Sequence, residues 1–283
     1  YQGADNRLFL GYFERPNRDE ETYAQALALS SDTARFEKEN PKNEHEALAP
    51  PRSRAFFDVD SIQGMTEEDV QEPRDHLRGL VSIWRYPVTA GRYVLGADTS
   101  WGKTGSYNCA TVLDWTTGTQ VAELHGRLHP DEMAQEVMEL HKMYNHAYMG
   151  LERAGEGQER DGDSVVVDKV EQMMEECSCR NRLYYHDRTT SHPVTPGWQT
   201  DGKTRPVMLA EFAEAIRNRE IVIRCHEGIG EMLSFIRNEQ GRPQAAKGAY
   251  DDRVMAYALA WQMRKYARFT TSSTKRVSVP SVF

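Results

Sequence analysis

Cysteine is scarce in this chain of 283 residues: Cys109, Cys177, Cys179 and Cys225 are the full set. A lone Cys-x-Cys inside a helical pattern, with no partner pair, is a poor zinc signature, and so sparse a supply suits a reducing compartment. All four are expected to be structural thiols. Long apolar runs are missing too, which excludes a bilayer-spanning helix. No signal peptide is expected, and a chain opening on Tyr1 is expected to be excised from something longer. Positive charge is in deficit: 35 Lys and Arg against 43 Asp and Glu leave a net charge of −8. That argues against a general nucleic-acid coat, because phosphate binding rewards positive charge. It leaves room for an acidic pocket whose bound metal ions reverse the local sign.

What is present reads as globular. A hydrophobic share of 39% beside 28% charged residues is that of a folded chain, long enough for one large domain or a domain with an appendage. Residues 1–54 are set apart by their charge: Leu8 to Phe13 is apolar, Glu14 to Glu46 is charged with one modest helix over Glu20 to Phe36, and Pro50-Pro51 ends the stretch. This segment is expected to be a linker or the tail of a preceding domain. From Ala55 short apolar elements begin, and strands are expected over Tyr93 to Asp98, Asn108 to Trp115 and Gln120 to Leu128, the last two joined by a Gly-containing turn. Pro130 opens a helix carrying Met133, Val137, Leu140 and Tyr144 on one face. A buried strand over Ala147 to Glu152, a helix over Val165 to Cys177 and a strand over Arg182 to His186 follow. Asp187 to Lys203 has neither period and reads as an insertion or functional loop. Helix over Arg205 to Arg219, strand over Glu220 to Arg224, helix over Gly228 to Ile236, a turn at Asn238 to Gly241 and a long helix over Asp251 to Tyr266 complete the order. Residues 270–283 read as a frayed tail. Three antiparallel strands followed by alternating helix and strand make an α/β order on a mixed sheet flanked by helices.

Three acidic stretches carry the chemistry. Val94-Leu95-Gly96-Ala97-Asp98 and Met149-Gly150-Leu151-Glu152 each end an apolar strand on a carboxylate, and Tyr250-Asp251-Asp252-Arg253 places two acids before an apolar helix. Singly each has a bland account: Asp98 as a turn cap, Glu152 as a solvated charge, Asp251 as a helix N-cap. If the fold brings them together, they are expected to make an oxygen-lined pocket for hard divalent cations, the usual apparatus for hydrolysing phosphodiesters. If Asp251 caps the helix, Asp252 in its first turn is the preferred ligand; the reverse assignment stays open. Ala97 to Thr104 also satisfies a relaxed phosphate-loop pattern, but such a loop must lead into a helix. Here Tyr107 to Trp115 reads as a strand, so no nucleotide site is expected.

The order of elements, with an acid on the first strand, on the fourth and on the last helix, resembles the ribonuclease H-like scaffold. Further motifs extend the likeness: His125-Gly126-Arg127 before Pro130-Asp131-Glu132, Gly150-Leu151-Glu152-Arg153, Gly197-Trp198-Gln199-Thr200, Lys203-Thr204-Arg205-Pro206 and Gly248-Ala249-Tyr250-Asp251-Asp252-Arg253-Val254-Met255-Ala256. Over about residues 55 to 265 the chain resembles the nuclease domain of the large terminase subunit of tailed bacteriophages, which implies a nuclease domain over residues 55–269. Two positions depart from that pattern: Tyr250 stands where a His commonly precedes the Asp pair, and Ala154 where an Asn commonly follows the Glu. The resemblance implies a Mg²⁺- or Mn²⁺-dependent endonuclease that cuts concatemeric double-stranded DNA by a two-metal mechanism. Asp98, Glu152, Asp252 and Asp251 would be the catalytic and metal-binding acids. Lys203, Arg205, Thr190, His192 and Trp198 are candidates for holding the DNA backbone, with a plain surface insertion as the bland account of the loop. It also implies a small terminase subunit, a portal protein and the chain's own N-terminal ATPase domain as partners, no membrane, and work in the host bacterial cytoplasm during virion assembly. A Holliday-junction-resolvase-like nuclease, an ATPase, or a non-catalytic DNA- or motor-docking domain are the competing expectations.

Overall fold

Short runs of β-branched and apolar residues build the centre of the molecule, a seven-stranded mixed sheet. The computed structural model describes residues 10–42, 52–100, 107–154, 162–186 and 195–269. In chain order the sheet uses β1 (Asp75–Leu77), β2 (Val81–Ile83), β3 (Tyr93–Asp98), β4 (Asn108–Asp114), β5 (Gln120–Gly126) and β6 (Tyr148–Ala154). Two short strands, β7 (Tyr185–His186) and β8 (Thr195–Pro196), pair with each other, and β9 (Trp198–Thr200) returns to the main sheet. The spatial order is β1-β2-β5-β4-β3-β6-β9. Pairs from β1 through β3 are antiparallel, whereas β3 with β6 and β6 with β9 are parallel. The expected α/β mixed sheet is therefore present, extended at its antiparallel edge by β1 and β2.

Helices cover both faces. On one side lie α4 (Pro130–Met143) and α5 (Gly162–Glu176), whose Met133, Val137, Val166 and Val170 pack against Leu95, Ala97, Val112 and Leu151. Pro130 occupies the first helical position of α4, and the Glu132 side chain accepts from the His129 N–H at 3.0 Å, so this start is capped as its sequence suggests. On the other side lie α3 (Val59–Glu68), α6 (Thr204–Arg217), α7 (His226–Leu233) and α8 (Asp252–Tyr266). Every side chain of α8 from Val254 to Met263 is buried, which makes it a central helix and not an amphipathic cover. N-terminal to the sheet, α1 (Glu20–Leu29) and α2 (Thr33–Glu39) hold an aromatic cluster of Tyr12, Tyr23 and Phe36.

Several expectations are corrected. The single helix over Glu20 to Phe36 is two, because Asp32 accepts from the Arg35 N–H and starts a new one. Asp58 likewise caps α3 through the Ser61 N–H, a helix not anticipated from the sequence. Glu220 to Arg224 forms one bridge, Thr119 with Val222, and no strand. Backbone bonds join Val222 to Gly118 and Gln120, and beyond them the Gln120 amide oxygen accepts from the Arg224 and Cys225 N–H groups. The helix expected to reach Ile236 stops at Leu233, and Phe235 enters a hairpin of β10 (Phe235–Arg237) and β11 (Pro243–Ala245) around the expected turn. Cys177 and Cys179 are joined as a disulfide, while Cys109 and Cys225 are free and buried. Lys103 and Thr104 of the phosphate-loop pattern and the tail from residue 270 lie outside the described residues, but the strand expected after the former is there as β4. No helix among the described residues is long and apolar enough to cross a membrane.

Candidate active site

Strand alternation decides which side chains share a face. Val94 belongs to the core layer around α8, so Gly96 and Asp98, two and four residues on, point the same way. Leu95 and Ala97 belong to the opposite layer. On β6, Tyr148 packs into the α8 layer, which puts Gly150 and Glu152 on that face as well. The parallel register pairs Gly96 with Gly150 and Ala97 with Leu151, so the residues that follow, Asp98 and Glu152, stand side by side at the carboxyl ends of adjacent strands. Their separation is set by the strand spacing of about 4.8 Å.

Helix α8 brings the third acid to the same end. It crosses the face so closely that a Cβ on Gly96 would lie 2.1 Å from the Ala260 nitrogen and 2.4 Å from the Ala256 oxygen. Its last turn is fixed where β3 begins: Arg264 Nε donates to the Trp115 carbonyl at 2.9 Å, and Trp115 Nε1 donates to the Arg264 carbonyl at 3.0 Å. The helix thus runs opposite to β3, and its first turn reaches the Asp98 end. There the backbone N–H of Tyr107, which leads into β4 two residues before Cys109, the register partner of Asp98, lies near enough to the Asp252 carboxylate to favour its charged form.

Asp252 carries an electrostatic signature. Burial, and then the charge of Asp251, push its carboxyl up to about 6. Asp251 occupies the N-cap position of α8, as expected, yet its side chain makes no cap hydrogen bond. Its carboxylate pairs with Arg205 Nη2 at 3.1 Å, and Arg205 Nη1 donates to the Pro243 carbonyl at 2.6 Å. The cap comes from α7: Glu231 Oε2 accepts from the Arg253 N–H at 2.9 Å. Asp98, Glu152 and Asp252 share an end and a face of the sheet without closing into a shell. Among the described residues no three His, Cys, Asp or Glu side chains are arranged to hold a metal ion.

Beside the acids lies a buried network that sequence reasoning missed. Glu123 on β5 is 3% exposed and accepts from Arg253 Nε at 2.8 Å, the Tyr257 hydroxyl at 2.5 Å and Gln120 Nε2 at 2.9 Å. Arg253 Nη1 bridges onward to Glu231 Oε1 at 2.7 Å. Burial works against the Arg253 charge, but Glu123 and the other groups around the guanidinium together outweigh it and the pKa is raised. The available signal was a Glu flanked by Ala122 and Leu124 in an otherwise apolar strand, since a buried charge needs a partner.

The candidate DNA contacts divide. Lys203 is exposed at the N-cap position of α6. Arg205 is half-buried and committed to Asp251. Trp198 is a core residue, 6% exposed and packed on Tyr184 at a centroid distance of 5.4 Å, so its ring is not presented to a nucleic acid. It is instead the register partner of Glu152. Thr190 and His192 lie outside the described residues.

No sequence-family profile and no curated protein sequence matches the chain. Solved structures do. The large terminase nuclease of thermophilic phage G20c with bound magnesium is similar at a TM-score of 0.54 and 19% identity, covering 74% of this chain and 98% of that one. Its cobalt-bound form gives 0.54 and 18% over the same shares. The large terminase nuclease domain of Thermus phage P74-26 gives 0.50 and 17%, covering 71% and 93%. The chain therefore has the ribonuclease H-like fold that large-terminase nuclease domains share.

Proposed function

We propose that residues 55–269 are the endonuclease domain of a viral DNA-packaging terminase, cutting concatemeric double-stranded DNA by metal-dependent phosphodiester hydrolysis. One observation carries the reading: Asp98, Glu152 and Asp252 are delivered to one end and one face of the sheet by two parallel strands and a crossing helix. The donor set suits the group it would hold. Carboxylate oxygens match Mg²⁺ or Mn²⁺, and a half-buried Asp252 whose proton affinity is raised by desolvation and then by a neighbouring acid is a carboxylate short of positive charge. Asp98, Glu152 and Asp252 would hold the ions, two in the reading favoured here. When bound, they supply Lewis acidity that makes an attacking water more acidic and stabilises charge on the leaving 3′ oxygen.

The chain's own residues supply the rest. Arg205 neutralises Asp251, so that two adjacent acids can coexist at the start of α8. Glu231 takes over the capping of that helix and leaves both aspartates free of the task. The positive end of α8 faces the region where phosphate would enter. Lys203, exposed two residues before Arg205, would be placed to contact the DNA backbone. In this reading residues 1–54 connect to an ATPase domain, with a portal protein and a small terminase subunit as partners in the infected bacterial cytoplasm.

The test is cleavage of linear duplex DNA and of a four-way junction, side by side, with Mg²⁺, Mn²⁺ or a chelator. Cleavage of the linear duplex should need the metal, and Asp98→Asn and Glu152→Gln should each lose more than the roughly 100-fold that removing an outer-shell partner costs. Metal-independent cleavage, or variants as active as the wild type, would overturn the proposal. Preference for the junction would favour a resolvase.

A further inference from the structure

Arg127 follows β5 at the same end of the sheet as Asp98, and its exposed guanidinium lies over the ring of Tyr107, 4.5 Å from the centroid. That ring is already stacked on His125, with centroids 4.7 Å apart and planes 19° from parallel. At these distances one face of a phenol cannot carry both groups, so Arg127 and His125 flank it. Tyr250, the residue before the aspartate pair, meets the ring edge-on at 5.1 Å and 89°. The backbone N–H of Tyr107 faces the Asp252 carboxylate. One residue is thus tied to the candidate metal site by its amide while its side chain carries a cation.

Two properties set Arg127 apart from the other arginines around the site. Arg205 and Arg253 are neutralised by carboxylates, whereas Arg127 has no acidic partner among the described residues. A free arginine on a surface is ordinarily mobile; stacking on an aromatic face fixes the guanidinium plane and leaves its N–H fork open. A fixed, unneutralised fork beside an acidic site on a chain of net charge −8 is suited to one ligand group above others, a phosphate oxygen pair.

We propose that Arg127, held on the Tyr107–His125 stack, binds a backbone phosphate of the DNA strand that enters the site, on the β5 side of Asp98. Tyr107 is the positioning residue: it sets the guanidinium relative to Asp252. This rests on the nuclease reading above and names a contact that reading did not contain.

The experiment measures binding of a short fluorescein-labelled DNA duplex to the whole chain by anisotropy, with a chelator present and across a range of salt. Arg127→Ala should weaken binding several-fold and flatten the plot of log affinity against log salt by about 0.9, the value of one phosphate contact. Arg127→Lys should restore the slope. Tyr107→Leu should weaken binding, and Tyr107→Phe, which keeps the ring, should not. Melting temperatures run in parallel separate lost binding from lost folding. If the wild type binds and cuts DNA while folded Arg127→Ala keeps its affinity and slope, this inference fails alone. If the wild type binds no DNA, the nuclease reading fails and this inference falls with it.

Discussion

His141 shows how much one side chain can tie the fold to pH. It is fully buried on α4, its Nδ1 lies 2.9 Å from the Ala147 carbonyl, and its Nε2 lies 3.1 Å from His146 Nδ1. Burial lowers its pKa to about 4. The unfolded chain binds a proton near the ordinary histidine value of about 6.5, so between the two values the unfolded state holds more protons than the folded one. The stability this residue contributes is complete above about 6.5 and lost as pH falls toward 4. Going from about pH 7 to about pH 5 should cost on the order of 2 kcal/mol through this residue. Urea midpoints of wild type and His141→Gln at both pH values check it: the variant should lose less on acidification, and equal losses would refute the assignment. At this scale the sequence was partly legible. Asp98 and Glu152 stood out because each ends an apolar strand, and strand order does the rest. Trp198 was misread because its neighbours Gly197 and Thr200 look like loop, while the burial of its ring depends on Tyr184 and Tyr266, both distant in the chain. Glu123 went unnoticed because its partners arrive from α8 and β5 together.

At the scale of elements, the contact between α8 and β3 matters most for the site. Gly96 admits the helix backbone itself, so Gly96→Ala has nothing flexible to displace and should destabilise by about 3 kcal/mol or more. Gly150, the paired position on β6, faces the Met263 side chain, whose Sδ would be 2.5 Å from a new Cβ. A methionine can swing away, so Gly150→Ala should cost clearly less. Urea denaturation of the two variants decides the point; equal losses would mean that the helix shifts as a body. Helix and strand positions near the core were legible because hydrophobic period and turn chemistry agreed. The misreadings fell where a side chain replaces a backbone function. The Gln120 side chain takes the Arg224 and Cys225 N–H groups beyond the short backbone bridge at Val222, and Asp32 restarts a helix that period alone would continue. Neither substitution leaves a mark on hydrophobic period.

For the whole molecule, the concentration of acids at one end of the sheet should appear as a response to divalent ions. Ligands that bind only the native state stabilise it by mass action, so the melting temperature should climb with Mn²⁺ at fixed ionic strength. Asp98→Asn and Asp252→Asn should each flatten that climb. Below about pH 6, where Asp252 holds a proton, the wild-type response should shrink as well, because metal ligands must be deprotonated. A wild type and two variants with the same thermal shift would leave the acids as ordinary element caps. A last consequence concerns time. Because the first turn of α8 takes its cap from Glu231, that turn should gain its full stability only once α7 has docked and the Arg253 bridge to β5 has closed. The strands can pair earlier, but they then present only two of the acids. On the proposed nuclease reading, a half-assembled chain would lack the full acid set, and any capacity to damage DNA would arrive together with the finished fold.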